Sequence, residues 1–231
     1  LVGTSMPVYT VSGTGKFTFT LEVQSENIRI MGFGFRVSDH VNYQYLVKLN
    51  DATNISSVDV KHCVMHHSGQ YDIARDLDQL AVRPTFVYLY GETGRVLIDD
   101  CVGLGGAFQR GWQRSGCFEI RNSVLHRGDF GIQGEEGTAI ARNNLVVSSR
   151  WGSSASHTGN TLVWNNTFYR LFNAAVLLDS TTSGQVAFVE LKNNIFVCDL
   201  DYTYQPWSGF IAENGGGTLD EDYNCIVKID G

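Results

Sequence analysis

The stretch Phe118-Glu-Ile-Arg-Asn-Ser-Val-Leu125 decides how the chain reads, because it recurs. Its relatives are Val58-Asp-Val-Lys-His-Cys-Val-Met65, Val96-Leu-Ile-Asp-Asp-Cys-Val-Gly103, Ala139-Ile-Ala-Arg-Asn-Asn-Leu-Val146, Thr161-Leu-Val-Trp-Asn-Asn-Thr-Phe168 and Val189-Glu-Leu-Lys-Asn-Asn-Ile-Phe196. A shorter copy, Asp222-Tyr-Asn-Cys-Ile-Val227, comes last, and Ile28-Arg-Ile-Met-Gly-Phe33 reads as an early degenerate one. A polar pivot falls at His62, Asp100, Asn122, Asn143, Asn165, Asn193 and Asn224, at intervals of 38, 22, 21, 22, 28 and 31 residues. Three consecutive intervals of 21–22 mark a repeat, and the longer ones read as the same unit with an inserted loop.

Each unit carries a second strand-like piece: Tyr45–Leu49, Phe86–Tyr90, Phe130–Gln133, Ala175–Leu178 and Phe210–Ala212. Polar or glycine-rich turns follow at 51–54, 91–94, 135–137, 179–184 and 214–217. No helical period spans a unit, whereas the period-2 alternation of strands fits. A unit of about 22 residues cannot bury its own apolar face, so units must stack at the strand spacing of about 4.8 Å. The pivots are expected to face inward, where a buried amide can bond to its neighbours above and below. On that reading Asn143→Leu costs about 1–3 kcal/mol.

The pattern resembles the right-handed parallel β-helix of the pectate-lyase-like superfamily over about residues 16–228. The resemblance implies an all-β fold, a right-handed parallel β-helix of about eight coils with an Asn ladder. Asn122, Asn143, Asn165 and Asn193 match that ladder, while His62 and Asp100 depart from it. Residues 1–231 are expected to form one domain, with loop insertions at about 66–85 and 198–209. No amphipathic capping helix is visible at either end. That suggests a piece of a longer chain, or ends covered by further domains or subunits.

Composition excludes several classes. With 231 residues, 43% of them hydrophobic and 18% charged, the chain is too apolar for disorder. A net charge of −7 argues against nucleic acid, and no apolar run is long enough to span a membrane. Residues 1–20 show no signal peptide, so the secreted or cell-surface location that the resemblance implies requires that one was removed. The cysteines Cys63, Cys101, Cys117, Cys198 and Cys225 are odd in number, widely spaced and without a CxxC pair, which reads as free, mostly buried thiols.

Candidate chemistry divides into four groups. Asp99-Asp100 is similar to the paired aspartates of polygalacturonases, but no second aspartate motif, Gly-His or Arg-x-Lys completes that set. His66 and His67, with Asp72, Asp76 and Asp78 in the following loop, are candidate metal ligands, whereas alternation puts His62 at the inward pivot. Lys61, Asp99, Arg121, Arg142, Trp164 and Lys192 form an outward column rich in cations, read either as an acidic-polymer stripe or as a solubilising face. The sequon at Asn165-Asn166-Thr167 is expected to be empty because Asn165 should face inward, while the one at Asn54 lies in a turn.

The fourth group lies on the other sheet. Lys48, Tyr88, Tyr90, Arg110, Gln133 and Asp179 are expected outward on strands, with Trp151 on an adjoining loop. Aromatic faces beside arginines and carboxamides suit sugar rings and their acid groups. In the resembled families this face is the carbohydrate groove, which implies β-elimination on a uronate-containing polysaccharide or surface glycan. The lyase needs a cation at the carboxylate and a base near the C5 proton. Arg127 and His157 are assigned those roles, with Asp129 as a partner or a calcium ligand; no other cofactor is implied. A non-catalytic adhesin, spike or filament module and a glycoside hydrolase are the competing readings.

Overall fold

The computed structural model describes residues 8–11, 18–23, 27–37, 44–49, 55–67, 85–128, 130–134, 137–149, 151–156, 159–171, 174–179, 187–198, 209–214 and 217–229. Among them there are strands and no helix. The strands form two hydrogen-bonded sheets, one of 18 strands and one of 4. Every pairing is parallel, and typical partners lie three strands apart in the chain. A tight turn can only join antiparallel neighbours. Parallel pairing at that separation means each repeat contributes one strand to each of several ladders.

The ladder preceding the pivot runs through β3 (Asn27–Met31), β6 (Ile55–Lys61), the end of β8 (Thr85–Asp99), the end of β9 (Val102–Arg121), β12 (Thr138–Arg142), β15 (Asn160–Trp164), β18 (Ala187–Lys192) and β21 (Gly217–Asp222). The ladder following it runs through β1 (Val8–Val11), β4 (Gly34–Val37), β7 (Val64–His67), the start of β9, β10 (Val124–Gly128), β13 (Leu145–Val147), β16 (Thr167–Leu171), β19 (Ile195–Cys198) and β22 (Cys225–Lys228). A distal ladder joins β2 (Thr18–Val23) and β5 (Gln44–Leu49) to β8 and β9. The four-stranded sheet consists of β11 (Phe130–Gly134), β14 (Trp151–Ser156), β17 (Ala174–Asp179) and β20 (Gly209–Asn214).

Alternation follows from the pleat: β18 reads buried, intermediate, buried throughout. The inward set, including Val58, Val60, Val96, Ile98, Phe118, Ile120, Val163, Val189 and Leu191, forms one core with Met65, Leu125, Phe168 and Phe196 from the following ladder and Val176 and Leu178 from β17. Identical residues stack in register. The Phe168 and Phe196 rings lie 4.8 Å apart and 5° from parallel, which is the spacing of the strands that carry them.

The turn corrects the expected ladder. His62, Asp100, Asn122, Asn143, Asn165 and Asn193 all have φ between 52° and 57°, and Tyr223 has φ 56°. This left-handed conformation bends the chain from one ladder to the next within one residue, and Asn, Asp, His and Gly tolerate it best. The degenerate early copy supplies Gly32 at φ 71°. The bend leaves the pivot side chain outward: His62, Asn122, Asn143 and Asn165 are exposed, not buried. The inward position is the next residue, filled by Cys63, Cys101, Ser123, Asn144, Asn166, Asn194 and Asn224. In the last copy the pivot is therefore Tyr223 rather than Asn224.

The four inward amides are joined edge to edge. Asn144 donates from its backbone N–H and from Nδ2 to Oδ1 of Asn166, at 2.9 and 3.0 Å. Asn166 does the same to Asn194, and Asn194 to Asn224. The remaining Nδ2 hydrogens reach backbone carbonyls of Ile120, Ala141, Val163 and Leu191. Ser123 extends the run by accepting from the backbone N–H of Cys101 at 3.1 Å. Every polar atom introduced by a buried amide thus finds a partner.

A second difference concerns 91–94, where the sequence reads as a turn. β8 continues through this segment as a strand of 15 residues beside the 20-residue β9, paired from Thr85↔Ala107 to Asp99↔Arg121. The paired stretches 85–99 and 107–121 are equal in length, so pairing continues through both, with register irregularities between Gly91 and Arg95. Residues 68–84 and 199–208, most of the expected loop insertions, lie outside the described residues.

Candidate functional site

Three surfaces carry polar chemistry. On the ladder before the turn, the expected cation column is flanked two residues earlier by Asp59, Glu119, Glu190 and Asp220, because the pleat returns to the same face every second residue. The charges pair both across repeats and within a strand. Arg121 reaches Asp99 at 2.8 Å, and Arg142 grips Glu119 through Nη2 at 2.6 Å and Nε at 2.8 Å. Lys61 lies 3.3 Å from Asp59, and Lys192 lies 3.0 Å from Glu190. Trp164 donates its indole N–H to Glu190 at 2.7 Å. The Arg121 guanidinium, helped by the Asn122 amide, holds Asp99 below the usual carboxylate range. This is a self-neutralised face, so the solubilising reading holds and the column offers no row of free cations to an acidic polymer.

At the turn itself, His62 and Asp100 occupy equivalent positions in adjacent repeats and meet, Nδ1 to Oδ2, at 2.8 Å. Both are more than half exposed. An imidazole oriented by a carboxylate can relay a proton. Sequence reasoning missed this pair by assigning both residues inward. Their shared repeat position was the available signal. Asp99 and Asp100 are bound to Arg121 and His62, respectively, which leaves no acid–base couple of the hydrolase kind.

Inside the turn, Cys63, Cys101 and Cys198 are buried and unbridged. Burial pushes the Cys198 thiol up to about 11, and the Cys63 hydrogen bond together with burial raises Cys101 well above the usual thiol range. Cys101 and Cys198 behave as small apolar core residues, whereas the hydrogen bond with Cys101 draws the buried Cys63 thiol down to about 7. Cys225 is free and exposed. Among the described residues no group of three or more His, Cys, Asp or Glu could hold a metal ion. Of the candidate metal ligands, Asp72, Asp76, Asp78 and Asp129 lie outside those residues.

The expected carbohydrate face falls on the distal ladder and the four-stranded sheet, where the structure fixes backbone register. Lys48 pairs with Tyr88, and Tyr88 with Arg110, so three of the chosen residues share one column. Tyr90 pairs with Trp112, two positions along the same strands. Gln133 aligns with Ser154 and Leu177. Trp151 begins β14 and Asp179 ends β17, so they lie at opposite strand ends of the sheet. Arg127 is part of β10, on the ladder after the turn, and so is not on a loop beside the distal face. His157 lies outside the described residues, directly after Ser156, the register partner of Asp179. In comparisons with known proteins, no family model, no curated protein and no solved structure matches the chain.

Proposed function

We propose that the chain is a right-handed parallel β-helix of the pectate-lyase-like kind, secreted or displayed at a cell surface, that binds an acidic, uronate-containing polysaccharide along its distal ladder and cleaves it by β-elimination. The inward Asn144, Asn166, Asn194 and Asn224 are then the Asn ladder, one residue after the positions first assigned. The observation that carries the reading is the register column of Lys48, Tyr88 and Arg110, with Tyr90 beside Trp112. Cationic positions two strand spacings apart, about 9.6 Å, with an aromatic position between them, match a polymer that repeats a carboxylate and an apolar ring face.

In the reaction a base removes the C5 proton, the electron pair forms the C4–C5 double bond, and the glycosidic oxygen leaves from C4 with a proton. Neutralising the uronate carboxylate acidifies C5, a role first given to Arg127 that passes to Arg110, which shares the distal column with Tyr88, since Arg127 stands on the ladder after the turn. His157 takes the proton, and Asp129 orients it or holds a calcium ion. Gln133, Trp151 and Asp179 border the chain of sugars. Arg121, Arg142 and Lys192 before the turn are each engaged by a carboxylate, as in a purely structural or adhesive module, and this favours a non-catalytic glycan binder as the second reading.

A panel of polyuronates, followed by the ultraviolet absorbance of unsaturated product, tests the proposal. Turnover is expected on at least one, and it should fall at least tenfold in Arg110→Ala and in His157→Ala. Binding without product on every polymer selects the adhesive module. Neither binding nor product removes the distal face from consideration.

A further inference from the structure

The ladder after the turn carries an outward face unlike the one before it. Leu145, Thr167 and Ile195 form one outward column, and Val147, Tyr169 and Val197 a second, in strict register. Leu145 is 39% exposed, Tyr169 45% and Ile195 45%. No Asp, Glu, Lys or Arg occurs in residues 145–147, 167–169 or 195–197. Along the edge of this face runs the pivot column, with exposed Asn143, Asn165 and Asn193, one carboxamide per repeat. Asn165 and Asn193 make no side-chain hydrogen bond to the described residues.

We infer that this face binds an uncharged polysaccharide chain, its sugar rings lying on Tyr169 and the aliphatic columns and its hydroxyls meeting the asparagine carboxamides. Three arguments select that occupant. First, the exposed apolar area is roughly 300–400 Å², the size of a ligand-binding patch and about half of what each partner of a stable protein–protein interface contributes. Second, residues 145–147, 167–169 and 195–197 carry no charge, and the nearest cations across the turn, Arg142 and Lys192, are engaged by Glu119 and Glu190, while Arg170 follows Tyr169 at the opposite rim. A chain lying on the two columns and the carboxamides meets no charged group there. Third, the amides recur at the strand spacing along a straight line, so they suit a linear polymer that presents hydroxyls at intervals rather than a single sugar. An aromatic ring flanked by carboxamides gives stacking on the apolar ring face and bonds to the polar rim. This inference stands apart from the polyuronate reading, which concerns the distal ladder.

The whole protein is titrated calorimetrically with dissolved β-glucan, glucomannan and xylan, at low salt and at about 0.5 M salt, where exposed ionic contacts are screened. Binding to at least one polymer is expected, unchanged by salt and weakened at least tenfold in Tyr169→Ala and in Ile195→Lys. Both positions are exposed, so both variants should melt with the native protein, and Tyr169→Ala should cleave polyuronates as the native protein does. No binding to any neutral polymer overturns the inference, as does binding that both variants retain. Sedimentation that reveals a dimer dispersed by Ile195→Lys would instead give the face to a second copy and overturn it equally.

Discussion

Asn165 and Asn166 are adjacent and identical in chemistry, yet one stands in solvent and the other is 1% exposed. The same division separates the whole outward column, from His62 to Tyr223, from the whole inward column, from Cys63 to Asn224. The outward column is selected for backbone conformation: its members share φ values above 50° and differ freely in side chain. The inward column is selected for what it can bond within the core, and it changes in blocks, from thiols to a hydroxyl to four amides. A residue's role here is set by which of two adjacent positions it occupies.

Thiol labelling should give the widest separation. Cys225 is expected to react in the native protein, and Cys63, Cys101 and Cys198 at least about 100-fold more slowly, because each needs local or global opening. Comparable rates would mean that the inward column is open to solvent. Stability comes next. Asn166→Leu removes an acceptor for two N–H groups of Asn144 and a donor to Asn194, so a loss of about 1–3 kcal/mol or more is expected in denaturant unfolding. Asn165 has no such partners, and Asn165→Gly should change stability by less than about 0.5 kcal/mol, since glycine also accepts the left-handed conformation.

A smaller effect isolates the backbone. Asn165→Val, β-branched at φ 57°, should cost about 1–2 kcal/mol although it touches no hydrogen bond of the side chain. If Val and Gly prove equal at this position, the conformational account of the outward column fails. The smallest effect concerns pH. Asp99 titrates below its unfolded value because Arg121 favours the carboxylate. Its contribution is therefore fully present above the unfolded pKa of about 4 and is lost as pH falls through the lower folded value. Asp99→Asn should therefore lower stability slightly near neutrality and leave it unchanged at low pH, which flattens the acid limb of the stability curve.

The repeat, the strand pairing and the parallel class were legible because three near-equal intervals and a period of 2 admit few other packings. The turn was read one residue out of place for a specific reason. At 143–144, 165–166 and 193–194 both positions are Asn, so residue type cannot distinguish them. The N-terminal copies could have done so: His62 and Asp100 suit a left-handed turn, whereas Cys63 and Cys101 suit a core. The 91–94 turn misled because glycines usually break strands, and only pairing with the neighbouring repeat keeps β8 extended. The polar residues of the distal face were recognised by type. Their alignment was not, since Lys48, Tyr88 and Arg110 come into one column only once the intervening insertions are placed.

Parallel, in-register stacking of the repeats is tested most directly by spin-label distances along the exposed column, with Cys225→Ser to remove the reactive native thiol. His62→Cys with Asn193→Cys spans five repeat steps, and Asn122→Cys with Asn193→Cys spans three. At about 4.8 Å per step, the backbone separations should be about 24 and 14 Å, in a ratio of five to three. Distances that break that ratio, or a His62–Asn193 separation beyond about 35 Å, would contradict the stacking and the register on which both binding faces depend.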